Sequence, residues 1–237
     1  MNTRIAAYST EHRYYVAAAA GIIAVVLAGF SVDAPLLSDM SHVSVLVRLH
    51  GGVMLAWVAL FFTQTVLVAK HRVDLHRRFG IFGAGLAILV VVVDVATLVV
   101  ACRLGADHMP PGMPAPLFLA LGISNLAVFA ILVGSAIALR RRSDWHKRLM
   151  LLAALILLDA ALARFISHYT SWTLDASTLR NLLMCACIAV DTFRHRRLHR
   201  AFIAGGLLLI ANDHLANWLA GTTVWMQFAD WVILGSA

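Results

Sequence analysis

Charge is scarce in this chain, and so are the residues that build secreted or redox-active folds. Only 13% of the 237 residues are Asp, Glu, Lys or Arg, whereas 61% are hydrophobic. That is more apolar surface than a water-soluble core of this size can bury. Three cysteines occur. Cys185 and Cys187 lie two apart in a helical stretch, so their side chains diverge by about 200°, and Cys102 stands alone. A disulfide framework, a CxxC redox pair and a cysteine-based metal centre are therefore not expected. No Ser-His-Asp spacing or nucleophile-elbow word occurs, which argues against a nucleophile-based enzyme. No Gly-Pro word interrupts the hydrophobic runs.

What fills the chain is long apolar runs, at 14–32, 46–69, 79–102, 115–139, 148–168, 172–193 and 200–220, with a mean hydropathy of +0.84. About 20 mainly apolar residues cross the hydrocarbon as a helix. The pattern thus predicts an all-α polytopic membrane bundle of about seven transmembrane helices, a single transmembrane domain over residues 1–237. The first run lacks a convincing cleavage signal and is followed by further spans, so it is expected to stay as a helix. After Gly221, Val224, Trp225, Phe228, Trp231 and Val232 recur at helical spacing, which suits a short amphipathic helix in the membrane interface.

The formal charge is +7, and its placement explains it without a nucleic-acid partner. Fifteen of the 19 Lys and Arg fall in alternate connections: Arg4 and Arg13; Lys70, Arg72, Arg77 and Arg78; Arg140, Arg141, Arg142, Lys147 and Arg148; Arg194, Arg196, Arg197 and Arg200. The positive-inside bias puts that face, and the N-terminus, in the cytoplasm and the C-terminus outside. The opposite loops carry Asp33, Pro35 and Asp39, and the turn-rich stretch Asp107 to Pro114.

Three basic connections end in similar words: LHRRFG from Leu75, WHKRLM from Trp145 and LHRAFI from Leu198. Each launches an outward-going helix with a histidine, dividing the chain into hairpin-like units at about 46–102, 115–168 and 172–220. On LHRRFG and HKRLMLLAALILLDAALAR, with LHGGVMLAWVALFFTQTVLVA and GTTVWMQFADW, the chain resembles a group of bacterial multi-pass membrane proteins whose helices open with HR-x-LG-like and HKRLM-like motifs. The resemblance spans most of the chain and implies a bacterial inner-membrane location rather than an activity. At the level of pattern the His-Arg helix ends are also similar to membrane haem proteins such as the haem A synthases, with Val73, Asp74 and Leu75 standing where those enzymes carry a glutamate.

Two constellations offer chemistry. The inner one is His76, His146 and His199, three imidazoles at similar depth that suit a metal, a quinone or a haem propionate. The bland alternative is that each satisfies a helix start while neighbouring cations reach lipid headgroups. The outer one draws on six spans: His50; Asp94; Asn125; Asp159, Arg164 and His168; Asp175, Arg180 and Asn181; Asn212, Asp213, His214 and Asn217. Charges in hydrocarbon cost about 2.5 kcal/mol or more each and are seldom kept without partners. By helical rise, His50, Asp94, Arg164, His168 and His214 share an outer-leaflet layer and are expected to line one polar cavity. Asp94, Asp213 and Asp175 are available to balance Arg164 and Arg180, with Arg164 to Asp94 or Asp213 the expected contact. Asp159 points away from Arg164 and His168 and is assigned to helix packing. His50, Met54, Trp57, Phe61 and Gln64 form one stripe on the second span, read either as core packing or as the wall of a cofactor site.

The leading functional expectation is a membrane protein binding haem b or a redox metal, with His50 and His214 as ligands, exchanging electrons with a quinone or a membrane redox partner. The competing expectations are a proton-coupled transporter of a small polar solute and an accessory subunit without chemistry. A copper variant would use Asp39, Met40 and His42 with His108, Met109 and Met113. The charge distribution makes a direct prediction: a reporter that works only outside the cytoplasm, fused after Ala237, is expected to be active. Activity of a cytoplasm-only reporter at that position would overturn the orientation.

Overall fold

In the computed structural model the described residues are 2–31, 43–105, 108–110, 112–170 and 174–235, with side chains from Arg13 onward. They are helical throughout, without strands. Helix α1 spans Asn2–Phe30, α2 Val45–Ala69, α3 Val73–Leu104, α4 Ala115–Ala138, α5 Ser143–Leu155 and α6 Asp159–Tyr169; α7 spans Ala176–His195, α8 Arg200–Ala220 and α9 Thr223–Leu234. A 3₁₀ turn, Ile156–Leu158, joins α5 to α6. Asp33, Pro35, Asp39, Met40 and His42, between α1 and α2, and Asp107 and Pro111, between α3 and α4, lie outside the described residues.

Among the described residues, five segments are long and apolar enough to cross a membrane: Arg13–Phe30, Val45–Ala69, Val73–Leu104, Ala115–Ala138 and Ser143–Tyr169. Helices α7 and α8 have the length, at 20 and 21 residues, but carry more polar side chains. Boundaries follow the hydrophobic runs except at several helix starts: α1 begins at Asn2 and α5 at Ser143, both ahead of their apolar runs. Helix α3 begins at Val73, ahead of its apolar run, and so takes the LHRRFG word into its first turns. Helix α7 begins only at Ala176, because the Asp175 side chain accepts from Thr178 N and caps it there.

Packing is sequential at first and then closes. Helix α2 lies between α1 and α3, and α3 leads to α4, which packs on α5 and α8; α1 returns to lie along α6, and α7 fits beside α6 and α8. The centre is apolar, with Ala19, Val90, Phe129, Leu151, Leu152, Phe202 and Leu209 at 2% exposure or less. Outward-facing Ile81, Phe82, Ile88, Leu207 and Leu215 leave an apolar exterior, as expected of helices that meet lipid.

Helix α9 confirms the helical spacing read after Gly221 and divides it into two faces. Trp225, Ala229 and Val232 pack on the ends of α3 and α4, with Trp225 Nε1 donating to Pro116 O at 2.8 Å and Arg103 Nε donating to Val232 O at 2.8 Å. Val224, Phe228 and Trp231 face outward. The three cysteines are free thiols.

One close approach sets the seat of α1. A Cβ added at Gly29 would overlap the Ala161 backbone carbonyl on α6, and neither backbone can move aside cheaply. Gly29→Ala is expected to destabilise the purified protein by about 1–3 kcal/mol, the range of overpacking, read as a lowered thermal midpoint. Gly21→Ala, in open space on the same helix, should leave the midpoint unchanged.

Candidate functional site

The sequence-predicted outer cavity does not form. His50 and Asp94 do meet, with Nδ1 3.1 Å from Oδ1 across α2 and α3 and both side chains about one quarter exposed. The pair is close enough for attraction but not aligned as a hydrogen bond, since His50 Nδ1 has no hydrogen-bond partner. The other three residues go elsewhere. Arg164 lies on the exposed side of α6, its guanidinium 4.6 Å from the Phe30 ring and Nη1 donating to Ala160 O at 3.4 Å. His168 is exposed and edge-on to Tyr169 at 4.8 Å. His214 is exposed on α8. Because α2 packs on α1 and α3 while α8 packs on α4, α5 and α7, His50 and His214 are not placed as ligands of one metal. The reason is helical phase: His214 follows Asp213 by one residue and so points about 100° away from it.

What does form is a buried ionic cluster built from residues of the same layer. Arg180 on α7 is fully buried. Its Nη1 donates to Asp159 Oδ2 at 2.6 Å, and its Nη2 donates to both carboxylate oxygens of Asp213 at 2.6 Å. Amides complete the shell: Asn181 Nδ2 donates to Asp213 Oδ2 at 2.8 Å, Asn125 Nδ2 to Asp159 Oδ2 at 3.1 Å, and Asn212 Nδ2 to Asn125 Oδ1 at 2.8 Å. The cluster thereby ties α4, α6, α7 and α8. Two carboxylates face one guanidinium, so the cluster carries one surplus negative charge when both are ionised. Asp159 Oδ1 and Arg180 Nε are buried with no hydrogen-bond partner.

Asp159, assigned to helix packing from the sequence, is the acid that ties α6 into the cluster, directly after the 3₁₀ turn that breaks the α5–α6 rod. Its position was legible in the apolar stripe: Leu155, Leu162 and Ile166 are buried on that helix side, four before and three and seven after Asp159. Arg164 belongs to the opposite side with Ala160 and Ser167.

A second buried ion pair lies at the basic end of the bundle. Arg148, 3% exposed, donates from Nε and Nη2 to Asp191, 0% exposed, at 2.8–3.0 Å. Tyr15 Oη donates to Asp191 Oδ1 at 3.4 Å, and Arg148 Nη1 to Asp144 O at 2.8 Å. No spacing in the sequence singles out Asp191; its only sign is a lone acid in the apolar run before the Arg194 cluster.

The inner histidines separate. His76 and His146 face each other, with ring centroids 6.2 Å apart at 84°. His146 Nδ1 donates to Ala136 O at 2.8 Å, which leaves its Nε2 with the lone pair, and His76 Nδ1 is buried with no hydrogen-bond partner. His199 does not join them. It caps α8, accepting from Ala201 N at Nδ1, and donates from Nε2 to Asp144 Oδ2 at 3.0 Å. On the α2 stripe, Trp57 and Phe61 are buried in the core and Trp57 stacks edge-on with Phe129 at 5.0 Å. Among the described residues no three His, Cys, Asp or Glu side chains gather to hold a metal ion.

Asp175 is held below the usual carboxylate range: burial opposes its ionisation, and the donors Ser177 Oγ, Thr178 N and Thr178 Oγ1 outweigh burial. Comparison with protein-family models, curated proteins and solved structures finds no match.

Removing the cluster's cation strands two carboxylates. Arg180→Gln should cost about 3–5 kcal/mol, read as loss of folded protein in mild detergent. Arg180→Gln combined with Asp159→Asn and Asp213→Asn should recover part of that loss, because no unpaired charge is left.

Proposed function

We propose that this chain is a proton-coupled carrier of a small polar solute, and that the Asp159–Arg180–Asp213 cluster is its proton-binding centre. The observation supporting the reading is the charge count: a fully buried guanidinium shared by two carboxylates, leaving one negative charge that a proton neutralises. When a proton adds to a carboxylate oxygen of Asp159 or Asp213, that residue's pairing with Arg180 weakens and the other strengthens. Arg180 then holds either α6 or α8 more tightly. The 3₁₀ turn at Ile156–Leu158 supplies the flexible joint for such a shift, since short 3₁₀ stretches within helices mark hinges, and interrupted helices are where membrane carriers bind ions.

The reading includes seven spans, with α7 and α8 crossing beside the five more apolar segments, the N-terminus in the cytoplasm and the C-terminus outside. The membrane is the bacterial inner membrane. Ionisable residues inside such a bundle are where proton relays are built, which favours a carrier over an accessory subunit.

Electron transfer stays as a second reading on a different ligand pair. His76 and His146 come from separate helices, and their centroid spacing of 6.2 Å is near what two imidazoles take up across one metal ion, given metal–nitrogen bonds of about 2.0–2.1 Å and two ring radii. His146 carries the backbone hydrogen bond that orients ligating histidines. These residues would hold a haem b or a redox metal, and the group would supply reversible one-electron chemistry.

Infrared difference spectroscopy across a pH step tests the carrier reading. A protonated-carboxyl C=O band should titrate in the wild type and vanish in Asp159→Asn or Asp213→Asn, together with proton uptake into proteoliposomes. Lack of any titrating carboxyl band would overturn the proton centre. A Soret band in the purified protein that disappears in His146→Ala would establish the second reading instead.

A further inference from the structure

One polar side chain of the α2 stripe is used by neither reading. Trp57 and Phe61 are core residues, but Gln64, one turn further on, ends the stripe with its Oε1 buried and without a hydrogen-bond partner. An amide oxygen withdrawn from water in this way is costly. It calls for a donor or a cation.

Gln64 stands next to the facing histidines of α3 and α5. A Cβ added at Gly80 would lie 3.8 Å from Gln64 Nε2, so the carboxamide rests on α3 one turn beyond His76, on the same helix face. The His76 ring makes a polar contact with the Gln64 backbone. His76 Nδ1 has no partner, so that contact belongs to Nε2. A backbone carbonyl only accepts, which leaves the hydrogen on Nε2 and the lone pair on Nδ1. His146 is fixed the other way round, with its Nδ1 hydrogen on Ala136 O at 2.8 Å and its lone pair on Nε2. Two imidazole nitrogens and an amide oxygen are thus gathered as acceptors, and neither Gln64 Oε1 nor His76 Nδ1 meets a donor.

Lone pairs without donors suit a metal ion, and the bond from His146 to a backbone carbonyl is the outer contact that orients ligating imidazoles. Imidazole nitrogens favour zinc, cobalt, nickel and copper, whereas calcium and magnesium prefer sets built on carboxylates.

We propose that His76 Nδ1, His146 Nε2 and Gln64 Oε1 bind a bare divalent ion of the zinc and cobalt class, joining α2, α3 and α5 at the basic end of the bundle. The inference rests on the ligand pair of the electron-transfer reading, adds the amide to it and requires no electron transfer. It also selects an ion over a haem, because the amide packed beside the pair takes a position that a porphyrin plane between the rings would need.

The test uses full-length protein in detergent, stripped with a chelator and titrated with cobalt(II) alone. Ligand-field absorption reads the coordination directly. The wild type should bind one equivalent with intense visible bands. His146→Ala should abolish them, and His214→Ala, on the exposed side of α8, should leave them unchanged. Gln64→Leu should weaken binding about ten-fold, the lower end of what loss of a supporting group costs a metal site. Gln64→Glu should bind more tightly than the wild type and shift the bands, since a carboxylate is the stronger oxygen ligand; a merely structural glutamine would give neither change. Bands that survive His146→Ala would overturn the site. Binding lost in His146→Ala but indifferent to both Gln64 variants would overturn the third ligand while keeping the histidine pair. A Soret band in the protein as purified that disappears in His146→Ala would establish the haem form of electron transfer and overturn the bare ion. Absence of both cobalt binding and a Soret band would overturn the two together.

Discussion

A guanidinium with no access to water has to be matched by charge, and Arg180 imposes that requirement on the packing around it. In a medium of low dielectric an unpaired ion costs several kcal/mol even after relaxation. Arg180 therefore has to be in place together with Asp159 of α6 and Asp213 of α8, and those carboxylates with the amides of Asn125, Asn181 and Asn212. The requirement is mutual, because each aspartate is as costly alone as the arginine. Four helices are thus coupled through one side chain, where lipid provides no hydrophobic force to bring helices together.

This accounts for the unusual character of α7. Its sequence, ASTLRNLLMCACIAVDTFRH, is less apolar than the five runs before it, and only Arg180, Met184 and Asp191 are buried along it. Two of those three are charged. The helix is held near its start by Arg180 and near its end by Asp191, while Leu182, Val190 and Phe193 face outward. Directional ionic contacts fix its rotation in a way that interchangeable apolar contacts would not. The tyrosines of α1 reinforce the far end, Tyr14 donating to Cys187 O and Tyr15 to Asp191.

How much of this was legible in the sequence follows from what each pattern encodes. Hydrophobic run length locates helices, so the apolar runs fell within a few residues of the observed helices, except where polar residues extend a helix ahead of its run, as at the start of α1 and in VDLHRR of α3. Depth is also encoded, since rise per residue is constant: Arg180, Asp213, His50 and Asp94 do lie among their expected neighbours. Azimuth is the weak link. A side chain one position away turns by about 100°, so Asp213 enters the cluster and His214 does not, and Asp159 turns inward where Arg164 turns out. In lipid the usual guide fails, because both the core face and the outer face are apolar. Only the flanking small and branched residues differ, and they are a faint signal. Long-range pairs such as Arg148 with Asp191 leave no periodicity to read.

The two buried arginines also serve as controls for one another. Arg148 meets a single carboxylate bidentately, the pair is neutral, and Tyr15 and backbone groups satisfy the remaining positions. Such a unit is complete as a structural tie, and a proton arriving at Asp191 would destroy it without any gain. Arg180 meets two carboxylates in the same protein. One would have sufficed to neutralise it, and the second, which ties in another helix, adds a desolvation cost and a surplus charge. An extra carboxylate next to a cation becomes useful when it exchanges a proton, because the guanidinium keeps the site hydrogen-bonded in both states. On the proposed carrier reading, the surplus acid, placed directly after the helical interruption between α5 and α6, distinguishes this cluster from the neutral Arg148–Asp191 pair.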